Sequence, residues 1–164
     1  MYYFTKRWYD VETQKLRLSQ QASTPQIAPE KRQSNAEKFF PLQIDAVQRL
    51  VLFLERIAPN NIIMRELNPG LPARAFQQKL LDSIRSEFEH NLAQQVYISS
   101  EAWDVVKQSK EEVVKIINMA ATKLESTALA GDLAQKIFEI TAQLKFQPTD
   151  QAIEMLKVEL RKAI

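Results

Sequence analysis

Ser99-Ser-Glu-Ala-Trp-Asp-Val-Val-Lys-Gln-Ser-Lys-Glu-Glu-Val-Val-Lys-Ile-Ile-Asn-Met-Ala-Ala-Thr-Lys-Leu124 can be read in only one way. Trp103, Val106, Val113, Ile117, Ala120 and Leu124 recur in steps of three and four, broken only at Lys110, and Val105 and Ile116 widen the stripe. That period is helical, with one face turned to a core. Ser99 is placed to cap the helix, and Ile98 before it with Trp103 at the fourth helical position forms a hydrophobic staple. Glu111 and Lys115 stand one turn apart as a favourable outer pair.

The same period extends in both directions. Toward the N-terminus, a helix is expected from Pro41, with Val47, Leu50, Leu54 and Ile57 on one face, Phe53 beside them, and Pro59 ending it. Asn60 to Pro72 reads as a packed connection carrying an Asn68-Pro-Gly turn. A second helix starts at Pro72 or Ala73 and runs through Phe76, Leu80, Ile84, Phe88 and Leu92 to about Gln95. Toward the C-terminus, Asp132 and Gln135 resemble a capping box opening a helix through Leu133, Ile137, Ile140 and Leu144. Thr149 then caps a last helix carrying Ile153, Leu156 and Leu160. Gln95 to Ser99 is the best strand candidate, and it would stand alone. The fold expected is therefore all-α, a bundle of about five helices over residues 41–164.

Composition removes several function classes. The 164 residues contain no cysteine, so disulfides, thiolate metal sites and cysteine nucleophiles are excluded. Only two glycines, Gly70 and Gly131, occur, too few for any glycine-rich phosphate loop. No run of about 20 apolar residues is present in the chain as given.

The N-terminal part has a different character. Residues 1–21 form a basic-aromatic arm with a thin helical stripe, and Tyr2, Tyr3, Phe4, Trp8 and Tyr9 crowd around Lys6 and Arg7. Aromatic residues collect at membrane interfaces, and Lys or Arg just past a span marks the cytoplasmic side, so these seven residues read either as membrane-proximal or as part of an amphipathic arm that docks on the core or on another copy of it. Residues 22–40 carry Pro25, Pro29 and few large apolar groups, and read as a flexible linker. Through Arg32 there are six basic residues against three acidic ones. The remainder is nearly neutral, and no nucleic-acid partner is expected of it.

Catalytic constellations are sparse. Glu87 and His90 form a Glu-x-x-His step, the spacing by which di-iron bundles present two ligands from one helix. Such a site needs further ligands, and His90 is the chain's single histidine. A metal-dependent enzyme using Glu87 and His90 is thus the alternative reading, and nucleic-acid binding through the arm a second. The principal reading assigns no catalytic residue, no metal and no cofactor.

Arg49-Leu-Val-Leu-Phe-Leu-Glu-Arg-Ile with Pro59-Asn-Asn, Glu87-Phe-Glu-His-Asn-Leu-Ala-Gln-Gln-Val-Tyr-Ile-Ser with Glu101-Ala-Trp, Lys110-Glu-Glu, and Pro148-Thr with Ala152-Ile-Glu together resemble an uncharacterised family of small bacterial proteins. The resemblance covers roughly residues 41–164 and is most specific from Glu87 to Trp103. It implies one N-terminal membrane span followed by a helical cytoplasmic domain, and no assigned activity. The expected function is non-catalytic binding or scaffolding, with an unknown protein partner, a membrane surface met by the arm, and possible self-association. In full-length form the protein is expected on the cytoplasmic side of the inner membrane, and the chain as given is expected to be soluble. Limited proteolysis should cut within residues 22–38 and leave a fragment beginning near Phe39 or Pro41. The reading frame is expected to extend upstream of Met1 into an apolar segment of about 20 residues, which a stop codon directly before Met1 would contradict.

Overall fold

The structure is a computed structural model that describes residues 29–162, with side chains from Lys38 onward. The arm and residues 22–28 of the linker lie outside the described residues. The chain divides into Met1–Lys38 and Phe39–Ile164, and the second unit is described below.

The fold is all-α. Among the described residues six α-helices follow in order: α1 (Pro29–Ile57), α2 (Pro59–Glu66), α3 (Ala73–His90), α4 (Ser100–Thr122), α5 (Ala130–Ala142) and α6 (Asp150–Lys162). A 3-10 segment, Leu92–Val96, lies between α3 and α4. Among the described residues, the only β-type pairing is an isolated bridge between Pro72 and Leu129. It consists of two backbone bonds, from the Ala73 N–H to the Ala128 carbonyl and from the Ala130 N–H to the Leu71 carbonyl, both 2.9 Å. Each N–H belongs to the first residue of a helix, where no intrahelical acceptor exists. The starts of α3 and α5 therefore satisfy one another.

The helix α4 is the spine. Its Trp103, Val106, Val113, Ile117 and Ala120 are all buried, and α3, α5 and α6 pack around it. The face expected of α1 is buried too, from Val47 through Leu50, Phe53 and Leu54 to Ile57. Lys110, which interrupts the α4 stripe, stands where Phe88 arrives from α3. Its ammonium lies 4.6 Å from the Phe88 ring centroid and 2.6 Å from the Glu111 carboxylate. The aliphatic stem covers apolar surface while the charge reaches water. Glu111 thus pairs with Lys110, not with Lys115.

Ser99 caps α4 as its position predicts, accepting from the Ala102 N–H at 3.2 Å. Glu159 of α6 adds a second bond set: its carboxylate takes the Ser99 N–H at 2.5 Å and the Ser99 hydroxyl at 2.7 Å. A charged group from the far end of the chain thereby fixes where α4 begins.

Several boundaries differ from those read in the sequence. α1 begins at Pro29 rather than Pro41, so residues 29–40 of the expected linker are helical and Pro41 lies inside the helix. Glu, Lys, Arg, Gln and Ala there are good helix formers whether or not they bury anything. Pro59 does end α1, but as the first residue of α2, where its missing N–H costs nothing. Ile62 and Ile63 are buried by that helix. α3 stops at His90, five residues before the expected end, because the Asn91 side chain takes the Glu87 carbonyl at 2.8 Å in place of a continuing backbone N–H. α5 starts at Ala130, which puts Asp132 at its third position, where the carboxylate accepts the Leu129 N–H at 2.8 Å. Leu92 and Leu144, expected on core faces, are exposed.

Adjacent positions on α1 provide a test. Phe53 is fully buried while Leu52 is 59% exposed. Phe53→Ala is expected to cost about 3–5 kcal/mol and Leu52→Ala less than about 0.5 kcal/mol, measured by urea unfolding.

Candidate functional site

The Glu87 and His90 step lies on the last turns of α3. Glu87 is committed to Arg56 of α1, whose Nε donates to the carboxylate at 2.7 Å. This hydrogen bond, with the charge of Glu87, raises the Arg56 pKa above its ordinary value. His90 Nδ1 lies 2.6 Å from the Ser86 carbonyl. A carbonyl can only accept, so Nδ1 is the donor in this contact, and Nε2 is the ring nitrogen that it leaves unused. Both side chains border a groove of about 430 Å³ that includes Arg49 and Leu52. Among the described residues, no three His, Asp or Glu side chains converge as a metal site would require. The seven arm residues, Tyr2, Tyr3, Phe4, Lys6, Arg7, Trp8 and Tyr9, lie outside the described residues.

The α2–α3 corner holds a denser ionic cluster. Glu66 accepts from Arg65 at 3.1 Å and stands 3.3 Å from Lys79, while Arg65 also reaches the Arg56 carbonyl and the Ser83 hydroxyl. Burial alone would raise the Glu66 pKa, but the hydrogen bonds from Arg65 and Lys79 outweigh it and hold the carboxyl below its ordinary value. This cluster staples α2 to α3. Every carboxylate oxygen it uses is spent on a cation, so it has no group free for proton transfer.

A third feature was not anticipated from the sequence. Between the C-terminal half of α4, the connection after α5 and the first turn of α6 runs an open cleft of about 710 Å³. Its apolar lining is Ile116, Met119, Leu144, Phe146 and Pro148. Phe146 is 68% exposed, Leu144 41% and Met119 40%. Glu112 and Lys115 from α4, with Asp150 and Glu154 from α6, form the polar edge. In the sequence Leu144 stands at the end of the stripe that runs from Leu133, and Phe146 lies between it and Pro148 without joining that stripe. A water-exposed phenylalanine flanked by Met and Leu is a surface that contributes to stability only when something covers it.

Residues 1–163 match the sequence model of a family described as a family of unknown function (DUF7935). No curated protein and no solved structure matches the chain. The resemblance drawn from the core residues therefore holds at the level of a family of unknown function, and the match takes in the arm and linker as well. Among the described residues no helix is long and apolar enough to cross a membrane.

Two outcomes are expected. His90→Ala should change stability by less than about 1 kcal/mol, and metal analysis of untreated protein should find no stoichiometric iron, manganese or zinc that the substitution removes. Glu66, whose folded pKa is depressed, contributes stability that is present above the ordinary carboxylate value of 4.5 and lost as pH falls through the lower folded value. Glu66→Gln should accordingly flatten the acid limb of a plot of melting temperature against pH.

Proposed function

We propose that this chain, which belongs to the DUF7935 family of unknown function, is a non-catalytic binding domain that works through the cleft between α4 and α6. The observation that carries the reading is the exposure of Phe146, Leu144 and Met119 along one concave apolar surface. Aromatic and methionine side chains are enriched where proteins meet partners, and methionine adapts its shape to what it contacts. Residues of α4 and α6 form the two walls of that surface. The Glu87 and His90 step supports a metal-enzyme reading less well, since Glu87 is held by Arg56 and the Nδ1 of His90 by a carbonyl.

The same reading places the domain beside a membrane. Its support is the sequence from Tyr2 to Tyr9, where five aromatic residues flank Lys6 and Arg7 in the order seen at the cytoplasmic end of a span. Scaffolding at the inner face of a membrane would then bring the cleft's occupant to that surface.

A photo-crosslinking amino acid at position 146, used in the cells that make the protein, is expected to trap a discrete protein adduct. The same group at Gln108, exposed on α4 away from the cleft lining, should not trap it. Identical adducts from both positions, or none from 146, would sink the binding reading.

A further inference from the structure

We infer that the occupant of the cleft is an amphipathic helix whose apolar face is flanked by Lys or Arg, an inference that rests on the binding reading above. Shape comes first. Glu112, Ile116 and Met119 mark one wall over two turns of α4, about 10 Å long at 1.5 Å per residue, and the first turn of α6 forms the other. An apolar floor between two helices receives a third helix by laying anchors spaced three and four residues apart into it. An extended strand would instead need unpaired backbone partners, and the cleft walls are helices whose backbone bonds are internal.

Charge then selects among helices. Three carboxylates, Glu112, Asp150 and Glu154, line the cleft against one ammonium, Lys115. Glu112 makes no ion pair among the described residues and is exposed, so it is available to a partner. Glu154 is held ionised by the hydrogen bond and charge of Lys157, at 2.6 Å, but that pair is exposed and Lys157 does not line the cleft. Exposed pairs of this kind exchange partners at little cost. Lys145 lies over the Phe146 ring, 5.5 Å from its centroid and outside the lining, so on the walls themselves Asp150 and Glu154 of α6 stand against Glu112 and Lys115 of α4, an excess of carboxylates that is concentrated on α6. A basic flank on the incoming helix meets those walls, and an acidic flank is repelled by them.

The test is selection of binders from a random displayed peptide library on the intact protein, with a Phe146→Ser counter-selection. Phe146 is exposed, so the fold should survive the substitution, and the charge variant Glu112→Lys/Glu154→Lys supplies an independent check at two exposed positions. Expected is enrichment of sequences with apolar residues at helical spacing flanked by Lys or Arg. Their affinity should fall on the order of tenfold in the charge variant and be lost with Phe146→Ser. Enrichment of acidic or neutral peptides that still depend on Phe146 overturns the basic-helix inference while leaving the binding reading intact. Binders indifferent to Phe146 overturn both. Dimerisation that Phe146→Ser abolishes would assign the cleft to a second copy and likewise overturn the inference.

Discussion

Three aromatic rings in a row hold the domain together. Phe53 of α1 lies 5.8 Å from Phe88 of α3 at a tilt of 49°, and Phe88 lies 5.5 Å from Trp103 of α4, nearly parallel at 15°. Arg56 and Glu87 close the solvent side of the α1–α3 junction one turn away, and Lys110 covers the outer face of Phe88. Each ring removes a large apolar area from water, and the tilted and offset pairings add a specific orientation to that gain. Helices that are marginal alone are thereby held at fixed angles.

How much of this could be read from the sequence depends on which force sets each feature. The buried faces of α1, α3 and α4 were legible because hydrophobic period is a local property, and Trp103 or Ile84 announces itself by spacing alone. The cap at Ser99 was legible for the same reason. Glu159 was not, since nothing local tells a glutamate in the last helix that its partner is a serine 60 positions earlier. The helical state of residues 29–40 was missed because low apolar content argues against a core and says little about backbone conformation. Pro59 was read as a stop when its geometry serves equally as a start.

The candidate site divides along the same line. The Glu87 and His90 spacing is visible in the sequence, but its meaning changes once Arg56 is found beside Glu87. The cleft was invisible because it is made by absence of packing: Leu144 and Phe146 look like core residues in any window and are left uncovered only because α5 ends at Ala142 and α6 begins at Asp150. Exposure of this kind is a tertiary fact.

The reciprocal backbone bonds between Leu71–Ala73 and Ala128–Ala130 have a bearing on how the chain assembles. They join segments separated by the whole of α3 and α4, so the loop they close carries an entropic cost that local helix formation does not repay. The first N–H of α3 finds its acceptor only at Ala128, in the connection that precedes α5. The bonds are made by main-chain atoms, while the Leu71 and Ala128 side chains pack against the core beside them. A proline at residue 73 or 130 would remove a donor and unpick both ends at once.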